Sequence, residues 1–349
     1  MITKYLKVDQ TNPDPSILAE AALILAQGGL VAFPTETVYG LGANGLDEAA
    51  VGKIFRAKGR PADNPLILHI ASTADVSKLV KNIPANARVL MDTYWPGPLT
   101  LVLERKHHIP DAVTGGLGTV AVRLPDSLIA RELIRLAGVP IAAPSANLSG
   151  RPSPTTADAV LADMAGKIDA IVDGGPCAIG VESTVVDCTT PVPTLLRPGG
   201  ITLEMLEATL GEVELDQALT EAQAIPRSPG MKYVHYAPAS PMTLIEGEEQ
   251  AVAALVIDQI QAALAAGTKV GAAVSAETAA QLPDNVKIAM YGRRGNANEA
   301  AANLYEVLRS FDYAAVDHIY AEGLTEDGLG LAVMNRMRKA AGYRIIYAK

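Results

Sequence analysis

The chain has 349 residues, 49% hydrophobic and 19% charged, with a formal net charge of −9. That length suggests two domains with a core in each, and the acidic balance disfavours a surface built mainly for nucleic acid, where phosphate contacts dominate affinity. Two isolated cysteines, Cys177 and Cys188, form neither a zinc-ligand spacing nor a disulfide framework, the N-terminus lacks the apolar core of a signal peptide, and Asp258, Gln259 and Gln261 interrupt the apolar run near 251–266, so no membrane span is expected and the cytoplasm is the expected location.

Asp14-Pro15 opens a first helix and Gly28-Gly29 ends it. A short apolar strand, Leu30–Phe33, runs into the turn Pro34-Thr35-Glu36-Thr37. A helix with Asp47 as its N-cap follows and stops at Lys58-Gly59, in a cationic cluster completed by Arg56 and Arg60. Further strands are expected at 65–70, 99–103, 119–124, 139–143, 170–172, 184–187 and 194–196, with helices near 73–80, 85–94, 127–137, 155–164 and 202–210. Interleaved elements in this irregular order imply an α/β domain, 1–210, on a mixed, twisted sheet.

Residues 211–241 show no helical or strand period and are rich in Pro, so they read as a linker. Met231, Tyr233, His235 and Tyr236 either pin it to a domain surface or make it a lid. From 242 to 349 four apolar runs alternate with helical ones: 242–245 then 248–266, 269–274 then 277–281, 287–291 then 297–309, and 318–321 then 327–341. That is a small Rossmann-like βαβ domain. No GxGxxG follows its first strand, so no dinucleotide site is expected there.

The chain has no GxxxxGK[ST], HExxH or GxSxG, and its five histidines form no ligand set. The positive signal is cationic. Lys58 and Arg60 flank Gly59, where interaction with the helix C-terminus would be the ordinary explanation. Arg123, however, interrupts the apolar strand TVAVRLP, and Arg197 follows the apolar run within TLLRPG. An arginine buried unpaired is expensive, so these four cations suggest a cradle for phosphates and a carboxylate. A loop dense in Ser and Asn, Ser145 to Ser153, and the segment Glu182-Ser183-Thr184 add hydroxyl and amide donors, although such residues also cap ordinary turns. His69 ends an apolar strand, a position more often filled by a satisfied core histidine.

Together PTETVYGL, KGR, NPLILHI, the SxN of Ser145–Asn147, ESTV, LLRPG and HYAP (His235–Pro238) resemble the Sua5/YrdC/YciO family, in its long Sua5 form. The resemblance implies a YrdC-like domain, a linker carrying HYAP and a Sua5-type second domain. It implies a nucleotidyltransferase that joins L-threonine, bicarbonate or CO2, and ATP into L-threonylcarbamoyl-AMP, releasing pyrophosphate, for N6-threonylcarbamoyladenosine at position 37 of ANN-decoding tRNAs. By motif, Thr37, His69, Arg123, Ala143 and Ser183 should contact threonine. Lys58, Arg60, Asn64, Thr119, Ser145, Asn147, Ser153, Arg197 and Tyr236 should contact ATP, with Lys58 and Arg60 also catalytic. Mg²⁺ is expected with the nucleotide, and hand-off to the tRNA-modifying transferase is expected without stable nucleic-acid binding. An RNA-binding module, a carbamoyl transferase of hydrogenase maturation and a nucleotide sensor without turnover are the competing readings. The acidic charge opposes the first, and two cysteines cannot supply the zinc fingers of the second.

Overall fold

The Asp14 carboxylate accepts the Ser16 amide and starts the helix Pro15–Ala26. Asp47 does the same for Ala49 and Ala50 at the helix Glu48–Lys58, which Gly59 stops with φ +62. A left-handed residue just past the last turn favours glycine. The computed structural model describes residues 2–220 and 235–349, in two units. The first comprises residues up to 149 with 153–178 and the chain from 182. The second gathers 150–152, 179–181 and the chain from 235 onward.

The strands of the first unit are β1 (Lys4–Lys7), β2 (Val31–Phe33), β3 (Gly40–Asn44), β4 (Ile67–His69), β5 (Leu99–Glu104), β6 (Thr119–Arg123), β7 (Ile141–Ala142), β8 (Ala170–Asp173), β9 (Thr184–Asp187), β10 (Thr194–Arg197) and β11 (Glu214–Leu215). They form one mixed sheet in the order β1-β8-β2-β3-β7-β4-β6-β5-β9-β10-β11. Strand β6 is the hub: it runs parallel to β4 and antiparallel to β5, which is parallel to β9. Leu68, Val120, Val122, Leu101 and Leu103 point to one side, into a large apolar core. Their alternate neighbours Ile67, Ala121 and Val102 point to the other, where they meet Val185 and Leu196 in a small apolar patch.

The second unit is an all-parallel five-stranded sheet of β12 (Met242–Glu246), β13 (Val270–Ser275), β14 (Lys287–Gly292), β15 (His318–Glu322) and β16 (Ile345–Tyr347), in the order β14-β13-β15-β12-β16. The helices Glu249–Ala265, Ala297–Ser310 and Gly330–Ala340 connect its strands, as parallel strands require.

Four strands escape the sequence reading. β3 has the composition GLGAN, poor in the β-branched and aromatic residues that mark strands. Its glycine serves packing: a Cβ at Gly42 would lie 2.8 Å from both Ile141 and the Phe33 ring. β1 is an exposed edge strand with lysine at both ends, and β16 closes the far edge of the second sheet. β11 corrects the linker boundary: Glu214 pairs with Thr194, so the chain stays on the first unit's sheet past residue 211. Met231 and Tyr233 lie outside the described residues.

Candidate active site

Five strands bring their polar residues to one edge of the first sheet. His69 ends β4 and Arg123 ends β6, directly paired in register. Thr100, near the start of antiparallel β5, pairs with Arg123. Ser183 precedes β9, and Arg197 ends β10. The Thr35–Val38 turn closes this edge. The Thr35 hydroxyl donates to the Val38 carbonyl at 2.7 Å and lies 2.8 Å from the Thr37 hydroxyl. The Thr37 hydroxyl therefore donates to Thr35, and its oxygen accepts from Arg123 Nη1 at 3.0 Å.

Arg123 is 3% exposed, so its charge needs a partner. That partner is Glu36, with Oε1 2.7 Å from Arg123 Nη2. Sequence reasoning quotes Glu36 within its motif but gives it no role. The two residues are 87 positions apart in sequence, and only the register of β6 reveals the pairing. Ser183 is fixed from two sides, 2.8 Å from the Thr100 hydroxyl and 3.1 Å from Arg197 Nη2. Arg197 Nε also donates to the Ser183 carbonyl at 3.0 Å. Burial, reinforced by the charges of Arg123 and Arg197, pushes the His69 imidazole down to about 3. Its Nδ1 is buried without a hydrogen-bond partner. His69 is thus neither an ordinary core histidine nor a base at neutral pH: it is a neutral ring with an unused polar atom beside two cations.

A second cluster lies at the other end of β6. Thr119 and Arg123 share a face, four residues and about 13 Å apart. The Pro65 that precedes β4 falls toward the Thr119 end. Arg60 Nη2 donates to the carbonyls of Asn64 and Pro65 at 3.3 and 3.1 Å. Asn64 is 1% exposed, and both atoms of its side-chain amide lack a partner. Strand β7 runs antiparallel to β4 and carries the chain through Ala143, whose amide donates to the Ile67 carbonyl, toward Ser145 and Asn147. Lys58 Nζ donates to the carbonyls of Ser145 and Asn147 at 2.5 and 2.6 Å, and the Ser145 hydroxyl donates to Asn147 Oδ1 at 2.5 Å. Lys58 therefore does more than neutralise its helix end: it ties down the SxN loop.

Four residues depart from the simplest expectation. Arg56 is exposed and lines, with Lys53, Lys58 and Lys167, a cavity that Arg60 does not line. Ser153 donates to Glu182 Oε1 at 2.6 Å, next to Ser183, and Arg197 holds Ser183 itself, so these two nucleotide candidates sit at the end of the sheet face that carries Ser183 and Arg123. Tyr236 belongs to the second unit, where its buried ring stacks on Tyr305 at a centroid distance of 5.3 Å. Between the two clusters lies the apolar patch of Ile67, Val102, Ala121, Val185 and Leu196. These five residues come from five strands, and no local motif announces them.

Among the described residues no group of three His, Cys, Asp or Glu side chains could hold a metal ion. The groups gathered here are cations, hydroxyls and amides, with the carboxylates of Glu36 and Glu182 engaged by Arg123 and Ser153, a set that suits anions. Likewise, no helix among them is long and apolar enough to cross a membrane.

The family model of Sua5, YciO and YrdC, described as "Telomere recombination", matches residues 23–199, and the model described as "Threonylcarbamoyl-AMP synthase, C-terminal domain" matches residues 201–342. The chain is 50% identical to the threonylcarbamoyl-AMP synthase of Bacillus subtilis (strain 168), over 99% of its own length and 100% of that protein's. It is 51% identical to the threonylcarbamoyl-AMP synthase of Pyrococcus abyssi (strain GE5 / Orsay), over 93% and 94%. The crystal structure of P. abyssi Sua5 complexed with L-threonine matches with a TM-score of 0.94 at 49% identity, covering 99% of this chain and 100% of that one. An edge lined by arginines and hydroxyls and the match along nearly the whole length lead to one statement: the chain belongs to the Sua5/YciO/YrdC family, in the form that carries a Sua5 C-terminal domain.

Proposed function

We propose that this protein condenses L-threonine, CO2 or bicarbonate, and ATP into L-threonylcarbamoyl-AMP and pyrophosphate, the activated intermediate for N6-threonylcarbamoyladenosine in ANN-decoding tRNAs. The observation that carries the reading is the pair of clusters on one sheet face, about 13 Å apart along β6. One end suits an amino acid: Arg123 for the carboxylate in a bidentate grip, with His69, Thr37 and Ser183 for its polar groups and Ala143 nearby. The other end, with Lys58, Arg60, Asn64, Thr119, Ser145 and Asn147, suits a nucleotide. Ser153 and Arg197 stand beside Ser183 at the amino-acid end, where they would receive the nucleotide's phosphates as they approach the carbamate.

The chemistry needs no enzyme nucleophile. The threonine amine loses a proton and adds to CO2, giving a carbamate. A carbamate oxygen attacks the α-phosphorus of ATP, and the bond to the β-phosphate oxygen breaks as pyrophosphate leaves. The chain's contribution is alignment and positive charge where charge shifts onto pyrophosphate. Arg60 and Arg197 supply that charge, and Lys58 keeps the Ser145–Asn147 loop in shape. Glu36 is a positioning residue, holding Arg123 in the orientation that presents its remaining donors. Magnesium enters as part of the ATP complex, since the donor set offers no resident carboxylate cage. The product is a labile mixed anhydride, which favours direct hand-off to the transferase and a location in the cytoplasm.

Pyrophosphate release with ATP, L-threonine and bicarbonate, each omitted in turn, tests the reading. Release should require all three, with serine a poor substitute. Release without threonine, or none at all with ATP bound, would overturn it.

A further inference from the structure

The first unit contains a cavity of about 620 Å³ lined by none of the residues assigned to threonine or ATP. This is the size of a small-molecule pocket. It lies between the helix Leu128–Ala137, the turn Gly138–Pro140 and the segment from Ile70 to Leu79. Its walls are largely apolar, with Leu46, Ile70, Leu79, Leu128, Ile134 and Val139. Leu46 and Leu128 form an exposed lip, at 39% and 46% exposure.

The rim carries charge that is almost balanced. Lys78 pairs with Asp75 at 2.8 Å, and Arg135 grips Glu132 with two hydrogen bonds. Arg131 is the exception. Its Nε is buried without a hydrogen-bond partner, and its Nη2 stands 3.9 Å from Asp126, beyond hydrogen-bond reach. The lining side chains thus carry three cations against two carboxylates, and Arg131 has only the loose 3.9 Å approach of Asp126, which lies outside the lining.

We infer that this cavity binds a small amphipathic monocarboxylate, its tail along the leucine and isoleucine walls and its carboxylate on Arg131. A monoanion matches the one lining cation without a lining carboxylate, and its oxygens would take the accessible terminal N–H groups of Arg131, whose side chain is 37% exposed. The site adjoins the threonine cluster without overlapping it: Ile70 follows His69 in sequence, and its amide donates to the Arg123 carbonyl at 3.0 Å. The inference does not rest on the catalytic reading.

Isothermal titration of the full chain with octanoate tests it. One saturable site is expected. Arg131→Gln should weaken it about tenfold or more, as for loss of a charge-assisted hydrogen bond, and Leu128→Trp should fill the lip and abolish it. Leu128 is half exposed, so this second variant disturbs the core little, and circular dichroism melts check the fold of both. Octylamine, with the same tail and the opposite charge, should not bind. No saturable binding of octanoate up to about 10 mM, equal binding of octylamine, tighter binding of octyl phosphate, or unchanged affinity in a folded Arg131→Gln protein would each overturn the assignment.

Discussion

The imidazole of His69 offers a sharp test of the threonine end. Burial and the neighbouring arginines lower it from 6.5 to about 3. At pH 5 a histidine of ordinary pKa is about 97% protonated, whereas His69 would be about 1% protonated. Because the folded pKa lies below the unfolded one, the unfolded chain takes up the proton first. The contribution of His69 to stability is therefore complete above about pH 6.5 and is lost as pH falls toward 3. Between pH 7.5 and pH 5 the loss is about 2 kcal/mol, from RT ln(1 + 10^1.5), and this figure is insensitive to the folded value so long as that stays well below 5. The assay is proton NMR of the imidazole C2–H signals of the five histidines, with His69→Gln identifying the resonance. That signal should stay fixed from pH 8 to pH 5. A titration midpoint above about 5 would refute the argument, because it would mean that the ring is hydrated or that the arginines are directed elsewhere. It would also reopen a role for His69 as a base.

Glu36→Gln leaves the Arg123 charge buried without its counter-ion; threonine KM should rise about tenfold or more while ATP KM changes little, since a lost charged partner is worth about 1.5–3 kcal/mol. A fall in kcat with threonine KM unchanged would remove the positioning role. Arg60→Ala should lower turnover about a hundredfold or more with the fold intact, and wild-type-like turnover in the folded variant would sink its part in the chemistry. Gly199→Ala should destabilise the ESTV segment by about 1–3 kcal/mol, because its Cβ would sit 2.3 Å from the Thr184 nitrogen and 2.4 Å from the Glu182 oxygen, both backbone atoms; a wild-type melt would contradict that. Tyr236→Ala should weaken nucleotide binding, and unchanged affinity and rate would remove the HYAP segment from the reaction.

Most of the first sheet is legible in the sequence because its strands are short apolar runs bounded by turn residues, as at Leu99–Glu104 and Thr119–Arg123. The failures share a cause: β3 is built from small residues that only tertiary packing turns into a strand, with Phe33 and Ile141 pressed against Gly42. β11 joins the sheet through pairing with Thr194 rather than through any pattern of its own. The site divides the same way. Local motifs point to Lys58, Arg60, Ser145 and Asn147. The pairing of Glu36 with Arg123 and the five-strand apolar patch depend on register, which no single segment encodes.

The same register explains why the site is charged yet stable without a substrate. Each buried arginine is held by groups that a substrate need not displace: Arg123 by Glu36 and Thr37, Arg197 by the Ser183 carbonyl and hydroxyl. Unmet hydrogen-bonding capacity remains at the Asn64 amide and His69 Nδ1, and also on Arg123 Nη2 and the Glu36 carboxylate, which face each other as an ion pair without hydrogen-bond geometry. A buried neutral group without a partner costs about 1–3 kcal/mol, far less than an uncompensated charge. The fold thus pairs the Arg123 charge with Glu36 and leaves three neutral hydrogen-bonding atoms open, two on Asn64 at the proposed nucleotide end and one on His69 at the proposed threonine end. Among the described residues those neutral atoms have no partner, so each proposed substrate can be selected by a hydrogen bond to them, on a sheet edge whose arginines are already held.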